Sequence, residues 1–214
     1  MKNILFLSIF IVFFQNLISQ NNRDSLVRSY KISLIERPQS IELFEYKNGH
    51  YSGNIITEIT QGKWEYGWLK KVWRNLWNIK DKEITDKNPI EEHDVKKLMF
   101  SLKKNGIETL KRCSEDKECN KSMFLDGGSI SFEIKTSETE KKISFEEIYP
   151  LNGNNKEKIK LRFKAQNLIT IIYKQVDFEE SFANLFKRLP RGYYNWYQAS
   201  GHSIVTIKNR KRKK

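Results

Sequence analysis

At 214 residues the chain is long enough for one domain with a real core, and no second domain need be invoked. Its formal charge is +13, but Lys2 and the seven-residue tail from Lys208 to Lys214 carry seven of those charges, leaving about +6 for the rest. Charge of this kind speaks to partners and solubility, not to fold.

The N-terminus has the parts of a secretory signal. Lys2 is the positive start, Ile4 to Phe14 is an apolar run broken only by Ser8, and Gln15 to Gln20 is a polar exit with a small residue at Ser19. The run of eleven residues is short of the roughly 20 that a membrane-spanning helix needs. No later stretch approaches that length, so the mature chain is expected to have no transmembrane segment. No cysteine lies near the cut, which disfavours a lipid anchor. The expected organisation is a signal peptide over 1–20, one domain over 21–207 and a basic tail over 208–214, in a secreted or periplasmic protein.

Tyr30, Ile32 and Leu34 alternate as on a strand, and a second run starts with Ile41 and Leu43 and reaches Tyr46. Asn48-Gly49 supplies a tight hairpin turn, and Tyr51 to Thr60 returns with Ile55, Thr57 and Ile59 on one side. From Trp64 to Trp77 the pattern changes: Leu69, Val72, Trp73 and Leu76 make one stripe of a helix, with Lys70, Lys71 and Arg74 opposite. Asn88 then reads as a helix cap, with Pro89 at the first helical position and Glu91 three residues after the cap. Val95, Leu98, Met99 and Leu102 form that helix's buried stripe, and Gly106 ends it with Ile107 packing back.

Met123 to Leu125, Asp126-Gly127-Gly128 and the alternating Ile130, Phe132 and Ile134 read as a hairpin, continued by Ile143 and Phe145. Residues 159–173 fit two patterns. Ile159, Leu161 and Phe163 alternate, while Leu161, Ala165, Leu168 and Ile172 make a helical stripe; the β-branched run Ile169-Thr170-Ile171-Ile172 favours strands. Asp177 and Glu180 form a capping box for a helix that Pro190 stops, and Arg191 to Ile207 closes as an aromatic-rich hairpin turning at Ala199-Ser200-Gly201. The expected class is α+β: a mostly antiparallel, hairpin-linked sheet packed with two or three helices.

The two cysteines, Cys113 and Cys119, enclose five polar residues. In an oxidising compartment this reads as a structural disulfide that contributes roughly 2–3 kcal/mol. The spacing matches neither a redox motif nor a zinc site. The three histidines, His50, His93 and His202, sit at turn or first-turn positions where exposed polar residues are usual. Adjacent carboxylates at Glu91-Glu92, Glu146-Glu147 and Glu179-Glu180 diverge on a helix or strand and make no acid–base pair. Asp126-Gly127-Gly128 lacks the lysine and the following helix of a phosphate loop. No catalytic residue, metal or cofactor is expected from these patterns.

Two features point to a partner. Trp64, Trp68, Trp73 and Trp77, four of the five tryptophans, lie among Lys70, Lys71 and Arg74. They are either core residues clamping a helix to the sheet or an exposed aromatic–basic surface for sugars, bases or a lipid interface. The basic tail is either a solvated terminus or a tether to an anionic surface. A composition rich in Lys, Asn and Ile is that of an AT-rich bacterial genome. The first reading is therefore a non-enzymatic binding or accessory protein of the cell envelope. The second is a basic module for an anionic polymer such as surface polysaccharide or nucleic acid. An exported hydrolase is third, with no residues to name. Mass spectrometry of the exported protein is expected to find a chain beginning near Asn21; an intact Met1 would contradict export by cleavage.

Overall fold

Alternating burial along the early strands builds the sheet. A computed structural model describes residues 25–62, 82–121, 128–198 and 201–207. The expected signal peptide, the segment from Trp64 to Trp77, the Met123–Leu125 arm and the basic tail lie outside them. Strands β1 (Leu26–Ser33), β2 (Gln39–Tyr46) and β3 (Tyr51–Gly62) form successive antiparallel hairpins. The second turns at Asn48-Gly49, where Gly49 takes φ +80° and the Asn48 side chain accepts from the His50 N–H. Strand β4 (Lys82–Pro89) pairs with β3, β5 (Ser129–Thr136) with β1, and β6 (Glu140–Glu146) with β5. Strands β7 (Gly192–Gln198) and β8 (Gly201–Ile207) pair with each other, and β7 also pairs with the end of β3. Among the described residues every pairing is antiparallel, in one eight-stranded sheet with helices packed on it, and the fold is α+β.

Register aligns the apolar residues in rows. Ile143, Phe132, Ile32, Ile41 and Ile55 lie side by side across β6, β5, β1, β2 and β3, each nearly or fully buried. The next row runs through Ile134, Tyr30, Leu43 and Gly53. Gly53 is required there: a Cβ would stand 2.9 Å from Val95 Cγ2 on the helix above. That helix, α1 (Glu92–Lys104), buries Val95, Leu98, Met99 and Leu102, the stripe the spacing predicts. Gly106 follows it with φ +81°, and Ile107 turns back into the core.

Two expectations fail here. Asn88 is not the cap of α1. It lies in β4, where its side chain donates to Asp86 and to Ser181 Oγ (both 2.9 Å), and Pro89 ends that strand. The helix starts at Glu92, after Glu91, with no side-chain cap. A proline without an N–H is tolerated on a strand with only one partner, so the Asn-Pro pair fits both readings and tertiary hydrogen bonds decide.

Residues 159–173 are also not strands. All but Ile159, the extended residue at its N-cap, belong to α2 (Lys160–Gln175), which buries two adjacent stripes. Leu161, Ala165, Leu168 and Ile172 enter the apolar core. Arg162, Gln166 and Thr170, spaced four apart and all buried, form a polar stripe beside it. The Arg162 guanidinium donates to both Glu157 carboxylate oxygens (2.9 and 2.7 Å) and to the carbonyls of Glu146 and Glu147 (2.9 and 3.4 Å). Gln166 accepts from the Glu157 N–H and donates to the carbonyls of Tyr149 and Asn155. Thr170 Oγ1 accepts from the Leu151 N–H at 2.9 Å. Helical spacing alone puts these three on one line, where they hold the loop between β6 and α2, including the left-handed Glu147 at φ +53°. The local preference of β-branched residues is overridden by burial on both stripes.

Helix α3 (Phe178–Arg188) starts as expected, with the Asp177 carboxylate accepting from the Glu180 N–H at 2.8 Å. Leu185, Phe182 and Phe186 pack with Ile59, Ile84, Tyr194 and Trp196 in a second apolar cluster. Phe182 meets Trp196 edge to face at 5.3 Å. Replacing Arg162 with Leu leaves the Glu157 carboxylate without its partner and the loop carbonyls without donors. The variant is expected to lose about 3 kcal/mol of stability, read as a lower denaturant midpoint. An unchanged midpoint would show that the loop is held otherwise.

Candidate functional site

Helix α1 is amphipathic, and its outer face is unusual. With Val95, Leu98, Met99 and Leu102 turned inward, Lys96, Lys97, Phe100, Lys103 and Lys104 are left exposed. Phe100 is three or four residues from each of the four lysines, so helical geometry makes them its neighbours. It is 69% exposed, the most exposed large apolar side chain among the described residues. None of these lysines forms an ion pair among the described residues; Lys96 Nζ lies 5.7 Å from the centre of the Tyr51 ring.

A groove of about 480 Å³ runs between this face and the sheet, lined by Phe100, Lys96, Lys97, Lys103, Tyr51 and Arg28, among others. Its lining carboxylate, Glu45, is already engaged by Arg28, which also reaches Glu108. Arg28 Nε lies 2.7 Å from a Glu45 carboxylate oxygen, and Arg28 Nη1 donates to Glu108 Oε1 at 2.8 Å. The buried Tyr30 hydroxyl donates to the same Glu108 oxygen at 2.7 Å, and Lys141 Nζ donates to the Glu108 and Leu110 carbonyls. Burial, and then the hydrogen bond to Glu108, push the Tyr30 phenol far above its ordinary range. This contact ties β1 to the turn that follows α1. Beside the groove, Glu92 accepts from the Tyr51 N–H at 3.0 Å and lies 2.9 Å from His50 Nδ1, which ties the start of α1 to the β2–β3 turn. The Tyr51 N–H, and then His50, hold the Glu92 carboxyl below its ordinary range.

Cys113 and Cys119 form the expected disulfide, with Cα atoms 4.9 Å apart. Cys119 is buried against the main core, and the Asp116 side chain accepts from the N–H groups of Glu118 and Cys119 within the loop. Trp64, Trp68, Trp73, Trp77, Lys70, Lys71 and Arg74 lie outside the described residues, as does the tail. The α1 face was missed by sequence reasoning because the buried stripe alone was followed; the symmetric spacing Lys-Lys-x-x-Phe-x-x-Lys-Lys from Lys96 to Lys104 carries the signal. In the aromatic-rich β7–β8 hairpin, Tyr194 is fully buried, and Trp196 packs on the same inner face. Among the described residues, no group of three or more His, Cys, Asp or Glu is placed to hold a metal ion, and no helix is long and apolar enough to cross a membrane. Comparison with protein-family models, curated proteins and solved structures finds no significant match to the chain.

The Tyr30 contact has a pH signature. A folded-state value above the unfolded one adds stability that is whole below about pH 10 and declines as pH rises toward the folded value. Other tyrosines shift the same way, so the informative quantity is a difference. Unfolding free energy measured between pH 9 and pH 11 is expected to fall less steeply in Tyr30→Phe than in the wild type. Equal slopes would count against the buried hydrogen bond.

Proposed function

We propose that the chain is an exported, non-enzymatic binding protein of the cell envelope that holds an anionic partner on the outer face of α1. The observation that carries this reading is the set of four lysines, none in a salt bridge among the described residues, around an exposed phenylalanine beside a groove whose carboxylate, Glu45, is held by Arg28. Exposed lysines that form no salt bridge keep much of their attraction for an external anion, although Glu92, one turn before Lys96, offsets part of that charge; within a Debye length of about 8 Å at physiological salt they act together. Export is supported by the signal-like N-terminus and by a disulfide of the kind that persists in oxidising compartments.

The test uses immobilised heparin as a generic polyanion. The mature protein is expected to be retained and eluted by salt, with binding falling steeply as salt rises because counterions are released on association. The triple variant Lys96→Gln, Lys97→Gln, Lys103→Gln is expected to elute at clearly lower salt, with a flatter salt dependence. If the triple variant eluted like the wild type, the attraction would reside elsewhere, in the basic tail or among Lys70, Lys71 and Arg74, and the α1 reading would fail.

A further inference from the structure

We infer that the anionic partner of α1 is a phospholipid surface, with Phe100 inserted among the acyl chains and the four lysines at the headgroups; this rests on the anionic-partner reading above. A soluble polyanion accounts for the lysines but not for Phe100, because it would leave the ring in water. A sugar chain is a poorer fit still. Carbohydrate sites pair an aromatic face with hydrogen-bond acceptors and donors, whereas the near neighbours of Phe100 on this face are lysines. At a membrane interface both parts have a role. An apolar side chain on a surface-lying helix sits roughly 5–10 Å below the headgroups, while lysines extend their stems along it and keep their ammonium groups at the phosphates.

The geometry of α1 suits this arrangement. The helix has thirteen residues, and its inner stripe is fixed against the sheet, so its axis cannot turn to hide Phe100. Lysines stand on both sides of the ring along the axis, one pair a turn before it and one a turn after, which places the helix parallel to a charged plane. The groove beside Lys96, Lys97 and Lys103 gives one headgroup room below that plane. Each lysine near an anionic leaflet strengthens binding by about fivefold, and the inserted ring by about tenfold. Together they describe weak, reversible peripheral attachment.

The experiment is co-sedimentation of the full mature protein with vesicles made of equal parts phosphatidylglycerol and phosphatidylcholine, with phosphatidylcholine vesicles as the neutral control. The wild type is expected to bind the anionic vesicles and not the neutral ones. Phe100→Ser is expected to bind about tenfold more weakly while keeping the wild-type melting temperature and heparin elution, and Phe100→Leu is expected to restore vesicle binding. Vesicle binding by Phe100→Ser equal to the wild type would overturn the inference. So would heparin retention, sensitive to the lysine substitutions, in a protein that ignores anionic vesicles; that outcome would leave the anionic-partner reading standing with a polymer as the ligand. Loss of both would end both.

Discussion

Strand β3 is asked to serve three partners, and the rest of the architecture follows from how it divides its twelve residues. Its Asn54–Gln61 segment pairs with β4 along one edge. The other edge carries β2 as far as Thr57 and β7 from Thr60 onward. On the inner face, the row containing Gln39, Thr57 and Asp86 is polar and marks this changeover. On one side of it lies the main core under α1 and α2; on the other lies the smaller aromatic cluster under α3. The polar row does not weaken the junction, because α3 is fastened across it. Gln39 donates to the Phe178 carbonyl, Asn88 to Ser181, and Arg188 to Asp86. A strand that contacts both cores couples them, since neither can shift without breaking hydrogen bonds to the other's sheet neighbour.

The sequence disclosed the elements whose burial is one-sided and whose turns are chemically marked. Strands β1 to β3 alternate because one face meets helices and the other is polar. Gly49 and Gly106 announce conformations that other residues rarely adopt. The failures share a different cause. Asn88-Pro89 and the β-branched stretch of α2 were read from local preference, yet their conformations are set by distant partners: Ser181 lies 93 residues from Asn88, and Arg162 reaches back to the loop after β6. A buried arginine is invisible to hydrophobic periodicity, although its spacing with Gln166 and Thr170 is as regular as that of the leucines. The α1 face was legible in the same sense but was hidden by habit, because charged residues on an outer face are usually treated as solvent dressing.

The placement of charge separates ordinary surface from the proposed contact. The open face of the sheet is self-neutralising: Lys31 meets Glu42, Lys142 meets Glu133, and Lys135 meets Glu140. Such exposed pairs are worth little individually, but each offsets its own charge locally. On α1 the acids cluster at the first turn, in Glu92 and Asp94, where they favour the helix dipole, and the lysines gather toward the end. Helix stability alone explains that polarity for Lys103 and Lys104. Lys96 and Lys97 stand one turn after Glu92 and Asp94, at spacings that also favour the helix; what helix stability does not explain is a phenylalanine set between the two lysine pairs in water. Phe100 contributes nothing to the core below it, whereas the same helix uses Val95, Leu98, Met99 and Leu102 to fill that core without gaps in their spacing. An exposed apolar ring, centred among lysines that form no salt bridge among the described residues, is the surface feature that the proposed contact would use.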